Sequence, residues 1–144
     1  MAELIEAMAS GTKWRPAYLR AAASDARSFL TEAQYEHAVQ QVRLLCDEDD
    51  PTHPRLLDVD AIEDFHELRD KHGVLGKINL RVYFWVCSEF RTVVVLGAWN
   101  KRVEGKTPPR IVGRMKGRKR RAVGQLRARS VSTTGSVPTP GRKK

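Results

Sequence analysis

Residues 80–99 read LRVYFWVCSEFRTVVVLGAW, and most of this stretch is β-branched, aromatic or aliphatic. Such a composition predicts two strands, over residues 80–86 and 91–99. The link between them, residues 87–90, is short enough to make the pair an antiparallel hairpin. The hairpin is therefore the starting point for the fold.

Side chains alternate between the two faces of a strand. In the first strand one face is expected to carry Val82, Phe84 and Val86, and the other Arg81, Tyr83 and Trp85. One face should meet a helix, and the other should meet solvent or RNA.

A helix is predicted upstream, over residues 31–45. Thr31 and Gln34 have the spacing of a capping box. The helix should end at the acidic run before Pro51, because proline resists helical geometry. Apolar side chains recur at helical spacing, at Tyr35, Ala38, Val39, Val42 and Leu45.

The remaining elements complete an α+β fold. Residues 63–70, EDFHELRD, are expected to form a third antiparallel strand. Pro108 and Pro109 can open a basic helix that ends near Ala122. The prediction is a small antiparallel sheet of three or more strands, packed with an N-terminal helix and a basic C-terminal helix.

The domain is expected to span residues 30–123. Residues 1–29 are interpreted as an extension without a convincing strand, partly helical over 15–27, where Pro16 would occupy the first turn. Residues 124–144 become poor in hydrophobic residues, so they are expected to form a disordered basic tail.

The positive charge of the chain is concentrated at one end. The net charge is +9, yet residues 1–104 carry 13 Lys and Arg against 17 Asp and Glu, whereas residues 105–144 carry 13 Lys and Arg without an acid. A block of one sign predicts binding to a phosphate backbone, because counterion release supplies affinity that is independent of sequence. A solvated tail that only aids solubility is the alternative.

The sequence favours a cytoplasmic protein with no membrane partner. The first residues, MAELIEAMASG, are acidic where a secretory signal would be basic, and no apolar run is long enough to cross a bilayer. Cys46 and Cys87 lack metal-ligand spacing, so reduced structural thiols are expected and a metal site is not.

Short motifs in a fixed order resemble the RelE/ParE superfamily of bacterial toxins, and most closely its HigB-like, phage-associated branch. They cover about a third of the chain. The resemblance implies the RelE-like toxin of a type II toxin–antitoxin system, which cuts mRNA on the ribosome and is held by a helix-turn-helix antitoxin. The motifs are Glu67-Leu68-Arg69, then Arg81 with Tyr83, then Trp99-Asn100-Lys101-Arg102 and Lys106-Thr107-Pro108.

The cleavage that the resemblance implies needs neither metal nor cofactor, because the 2′-hydroxyl of RNA attacks the adjacent phosphate. Arg69 and Arg81 match family positions that would hold this phosphate, since a guanidinium can bind two of its oxygens. Lys101 and Arg102 match the basic turn of the family. Lys101 is also a candidate acid, because a lysine among arginines can have a lowered pKa.

The sequence offers several candidates for the general base. Glu67 would share a strand face with Arg69, where it is either the base or a structural partner of Arg69 or Arg81. His66 should point to the opposite face, and His72 lies in a loop, so both are more readily structural. Further RNA contacts are expected from Tyr83, Asn100, Lys106, Arg110, Arg114, Lys116 and Arg118.

Two other functions share this scaffold or this charge. A ParE-like gyrase inhibitor would use the same fold without cleaving RNA. A non-enzymatic nucleic-acid-binding protein would rely on the basic end, with Tyr83 and Trp85 stacking on bases. The chain departs from the family in lacking a convincing first strand and a tyrosine or histidine after Lys101.

Overall fold

The computed structural model describes residues 4–6, 11–102 and 106–136. A short 3-10 turn, Gly73–Leu75, connects two of the strands. The strands are β1 Leu4–Glu6, β2 Arg15–Leu19, β3 Asp58–Ile62, β4 Phe65–Lys71, β5 Asn79–Cys87 and β6 Thr92–Asn100; the helices are α1 Arg20–Arg27, α2 Glu32–Cys46 and α3 Pro109–Ser136.

The described strands form one sheet in the order β1-β2-β6-β5-β4-β3. Neighbouring strands are antiparallel, except that β2 runs parallel to β6. The predicted hairpin is confirmed, with Leu80 opposite Asn100 at one end and Cys87 opposite Thr92 at the other. The α+β class is likewise confirmed, with more strands than the predicted minimum.

The described N-terminal residues 4–6 and 15–19 are strands of the sheet and not an extension to it. Ala17 and Leu19 are fully buried in β2, and Leu4 in β1 is buried as well. Pro16 was misleading as a helix signal. The Arg15 amide donates to Arg91 O, so the backbone of residue 15 faces the β6 side. The backbone of residue 16 therefore faces the β1 side, at a point beyond Glu6 and Ala17, the last described pair of β1 and β2. A missing N–H is tolerated there.

α1 and α2 form a helical hairpin that covers one face of the sheet. Val42 and Leu45 of α2 are buried, and Leu80 and Val82 of β5 line the contact between the sheet and the helices. The capping box at the start of α2 is confirmed. Thr31 Oγ1 accepts from the Gln34 amide at 3.2 Å, and Gln34 Oε1 accepts from the Thr31 amide at 2.9 Å.

Removing this cap should weaken the fold measurably. We expect Thr31→Ala to lower the free energy of unfolding by about 1 kcal/mol, because one amide of the first turn loses its acceptor. Urea denaturation followed by circular dichroism measures the loss. Thr31→Ser keeps the hydroxyl and is the matched control; an equal loss in both variants would contradict the capping argument.

α3 crosses the other face of the sheet and is longer than predicted. Ile111, Met115 and Ala122 are buried, as expected, but the helix does not end near Ala122. Leu126 is also buried, and Gln125 Oε1 accepts from the Leu4 amide at 3.0 Å. This packing against β1 continues the helix through residues that were expected to be a disordered tail; residues 137–144 lie outside the described part.

β3 was not predicted, and it forms the edge of the sheet beside β4. Its sequence, DVDAI, alternates weakly and its side chains are mostly exposed, so it lacks the signal of a buried strand. Within the described residues, no helix is both long enough and apolar enough to cross a membrane.

Candidate functional site

A groove opens where the end of the sheet emerges from under α3. Its volume is about 770 Å³. The floor is formed by β4 and β5, one wall by β3, and the other by the start of α3 and the segment before it. The side chains that matter for its chemistry are Asp60, Glu63, Glu67, Arg69, Arg81, Lys101, Lys106, Thr107 and Lys116.

Arg69 and Arg81 lie directly opposite one another on β4 and β5. Arg69 Nε donates to Glu67 Oε2 at 2.9 Å, and Arg69 Nη2 donates to Asp60. The hydrogen bond to Glu67 raises the pKa of Arg69, so the guanidinium stays charged. The predicted juxtaposition of the two arginines is thus present, but Arg69 already faces two carboxylates.

Arg81 is the more deeply set of the two, with 11% of its side chain exposed. Arg81 Nη1 donates to Asn79 Oδ1 at 2.6 Å. Its buried Nε has no hydrogen-bond partner among the described residues, but it forms an ion pair with Glu67, whose Oε1 lies 3.7 Å away. The side chain of Arg81 nevertheless lines the groove, where a guanidinium can bind the oxygens of an anion.

Glu67 is the structural centre of the groove floor. It is 3% exposed, and it accepts hydrogen bonds from Arg69 and, at 2.9 Å, from Thr107 Oγ1. Both carboxylate oxygens are therefore engaged. This arrangement matches the structural pairing that the sequence left open, because Glu67 holds the Arg69 side chain at the groove floor.

Tyr83 does not stack on RNA, contrary to the sequence-based expectation. Its side chain is fully buried, its hydroxyl lies 3.4 Å from Thr107 Oγ1, and burial raises its pKa to about 12. The alternation of β5 was read correctly, but α3 and the preceding segment cover this part of the face. Trp85 is half-buried, with Lys119 Nζ 5.4 Å from its ring centre.

Lys101 and Lys106 are the groove cations without a carboxylate partner among the described residues. The Lys101 amide donates to Asn79 O at 2.9 Å, which places Lys101 at the same end of the sheet as Arg81. Asn100 has a structural role there, because its Oδ1 accepts from the Asn79 amide at 3.1 Å. Arg102 is exposed and lies outside the lining of the groove.

The cations of α3 that were predicted to contact RNA differ in their exposure and in their partners. Lys116 reaches the groove and pairs with Glu63 at 2.8 Å, which raises the pKa of Lys116. Arg110 and Arg114 are exposed. Arg118, expected to contact RNA, is instead buried and donates to Asp25 Oδ2 at 2.6 Å and to Leu96 O at 2.9 Å. It attaches α3 to α1 and β6.

Neither candidate histidine contributes to the groove. His66 lies on the opposite face, where it stacks on Phe84 with ring centres 5.7 Å apart, and burial lowers its pKa. His72 precedes the 3-10 turn with a φ of 76°. Among the described residues that line the groove there is no histidine.

Sequence reasoning missed the acidic wall. Asp60 and Glu63 come from β3 and the turn after it, and they pair with Arg69 and Lys116. The spacing of Asp58 and Asp60 was a signal, because residues two apart share one face of a strand. It could be used only once β3 had been recognised.

Comparison with known proteins leaves the family open. No family model and no curated protein matches the chain. In the described ranges, no cluster of three or more His, Cys, Asp or Glu side chains is arranged to hold a metal ion.

Proposed function

We propose that this protein is an endoribonuclease that cuts single-stranded mRNA on the ribosome, as the toxin of a type II toxin–antitoxin pair. The observation that carries the proposal is the set of five cations among the described residues that line one groove; one of them, Lys116, is paired with Glu63. Arg69 and Arg81 lie side by side on its floor, and Lys101 and Lys106 stand beside them without carboxylate partners in the described residues. Such a groove suits a phosphodiester.

The order of the elements supports the same proposal. The resemblance implies a strand followed directly by a helical hairpin, and this strand seemed to be missing from the sequence. β2 is followed by α1 and α2, then by the antiparallel strands and by the basic helix α3. The order β2, α1, α2 therefore supports the resemblance.

The chemistry that fits the groove is attack by a 2′-hydroxyl on the adjacent phosphorus. The 2′-hydroxyl gives up its proton to solvent as the O2′–P bond forms. The P–O5′ bond breaks, a 2′,3′-cyclic phosphate is left on one fragment, and the departing O5′ takes up a proton. Arg81 and Arg69 would stabilise the phosphorane, whose charge exceeds that of the ground state. Lys101 would be the proton donor to O5′, and Glu67 would hold Arg69 in place.

Mapping the cleavage products on translating ribosomes tests this proposal. We expect mRNA fragments with a 2′,3′-cyclic phosphate at one new end and a 5′-hydroxyl at the other. A message with a 2′-O-methyl group at the cleaved nucleotide should remain intact, because the nucleophile is blocked. Fragments ending in a 5′-phosphate, or cleavage of the methylated message, would contradict the mechanism.

The proposal also implies a protein partner and a location in the cell. A toxin of this class acts in the cytoplasm on the ribosome and requires an antitoxin, and an acidic or amphipathic segment would suit the basic surface. Co-expression with a helix-turn-helix protein encoded beside it should yield a stable complex. A protein that is harmless alone and captures no such product would count against the toxin assignment.

Exposed cations on α3 favour a second candidate, a nucleic-acid-binding protein without catalysis. The helix presents an outer surface that carries Arg110, Arg114, Arg120 and Arg127. Such a surface supplies affinity for phosphates that does not depend on base sequence. In this case the groove would hold RNA without cutting it.

Salt dependence measures the contribution of this helix surface. We expect the affinity of the protein for single-stranded RNA to fall steeply with salt. The double variant Arg114→Ala, Arg120→Ala should reduce the slope of log K against log salt by about 1.4, since each phosphate contact contributes about 0.7. Fluorescence anisotropy between low and physiological salt gives both slopes. An unchanged slope would show that α3 does not contact phosphates.

A further inference from the structure

A second depression lies beside the groove, at the open end of the sheet. Its volume is about 340 Å³, within the range of ligand pockets, which is about 300–1,000 Å³. It shares Arg69 and Arg81 with the groove, so these arginines stand between the two spaces. The remaining side chains of its lining are Asp58, Asp70, Lys71 and Asn79.

The two spaces follow successive cross-strand pairs of β4 and β5. Glu67 faces Tyr83, then Arg69 faces Arg81, then Lys71 faces Asn79. Because side chains two apart share a face, these pairs lie in a row on one face, about 6.6 Å from one to the next. The first pair is covered, the second lies at the boundary, and the third is open. This step is close to that between nucleotides in an extended single strand.

Lys71 is available to bind an anion. It is exposed, and it makes no hydrogen bond or ion pair with the described residues. Its acidic neighbour Asp70 is engaged elsewhere, because Asp70 Oδ2 lies 2.7 Å from His37 Nε2. Asp58 is exposed on the far wall. Lys71 therefore provides a cation that is not already neutralised, one pair beyond the two arginines.

Asn79 provides a directional polar group beside Lys71. Arginine can only donate hydrogen bonds, so the Asn79 atom that faces Arg81 must be Oδ1. Its amide NH₂ group is then left as a donor, and it makes no hydrogen bond with the described residues. Such a donor suits a carbonyl on the edge of a base.

We infer that the depression lined by Lys71 and Asn79 is a subsite for the next nucleotide of a single RNA strand, whose neighbouring phosphate lies at Arg69 and Arg81. The inference rests on the proposed function, because it extends the same groove. Lys71 binds the additional phosphate, and the amide of Asn79 contacts its base. Substrate recognition then spans more than one phosphate.

Graded oligonucleotides test the subsite. The full-length protein is titrated with 2′-O-methyl oligouridylates of two, four and eight nucleotides, which resist cleavage, and binding is followed by anisotropy at several salt concentrations. Lys71→Ala should reduce the salt slope for the octamer by about 0.7, the value for one phosphate of a single strand, and should not change it for the dinucleotide. Lys71→Arg should restore the slope.

Controls separate this inference from the proposed function. Lys101→Ala should weaken binding at every length, and Arg43→Ala, on the opposite face of the sheet, should not. If Lys71→Ala binds each length as the wild type does while Lys101→Ala is weakened, the subsite is wrong and the groove stands. If the wild type binds no length, or Lys101→Ala binds normally, the groove is not an RNA site and both conclusions fail.

Discussion

Lys101→Ala is expected to lower the rate of mRNA cleavage on translating ribosomes by about a hundred- to a thousandfold, about 3–4 kcal/mol, as when one donor to an oxyanion is removed. The effect should be large because Lys101 has no carboxylate partner in the described residues, so all of its charge is available to the phosphate. The fold should be little changed, because the side chain is partly exposed and the bond from the Lys101 amide to Asn79 O remains.

Arg81→Ala should reduce cleavage at least as much, because it removes the guanidinium that lies opposite Arg69 on the floor of the groove. Arg81 also holds Asn79 and pairs with Glu67, so its removal should disturb the floor of the groove as well. Arg43→Ala, which removes an exposed cation from α2, is the matched control. If Lys101→Ala and Arg81→Ala fold by circular dichroism and cleave as the wild type does, the proposed active site is wrong.

The central hairpin could be read from sequence because it is buried on both faces. A run such as TVVVL can hardly form anything but a strand between two layers, and β5 alternates regularly enough to place Arg81 and Tyr83 on one face. The shared end of Arg81 and Lys101 followed from antiparallel pairing alone. Local pattern was sufficient where the partner strand was adjacent in sequence.

The N-terminal strand could not be read in this way. β2 pairs with β6, and Arg15 and Thr92 are far apart in sequence although they are partners in the sheet. Its five residues are too few to show alternation, and Pro16 favoured another interpretation. The buried strand β6 needs a hydrogen-bonded neighbour on each side, and only this requirement would have predicted β2.

The assignment of Arg118 to RNA binding was wrong for a related reason. A lysine or arginine on a helix is expected to face solvent, and Arg114 does so, but Arg118 points toward the sheet. The burial of Tyr83 and the pairing of Arg69 with Asp60 also depend on other segments of the chain. Composition predicted that the region would be basic, but not which charges would be neutralised within it.

Arg118→Ala is expected to lower the free energy of unfolding by about 3–5 kcal/mol, the cost of removing one partner from a buried ion pair. Arg118 has 10% of its side chain exposed and Asp25 has 22%. The substitution would leave the Asp25 carboxylate partly buried and, within the described part of the chain, with only the Ala98 amide, 3.3 Å away, as a donor. It would also remove the donor to Leu96 O, one of the contacts that fix α3 to the sheet.

Gly97 shows why this contact is possible. A Cβ at position 97 would lie 2.5 Å from Met115 Cε and 2.7 Å from Arg118 Nη1, so the absence of a side chain lets both residues reach the strand. The ion pair and the glycine together keep α3 across the face of the sheet, where Lys116 forms part of the groove wall. Loss of the pair should therefore affect the groove as well as stability.

Urea denaturation of a double variant separates the contribution of the buried charge to stability from the contribution of packing. Asp25→Ala with Arg118→Met removes both charges and retains apolar volume, so its loss of stability should be smaller than that of Arg118→Ala, since pairs replaced by apolar groups are often neutral. Arg114→Ala, on the exposed side of the same helix, should change stability by no more than about 0.5 kcal/mol. A loss in Arg118→Ala as small as that of Arg114→Ala would show that the ion pair does not hold α3 in place.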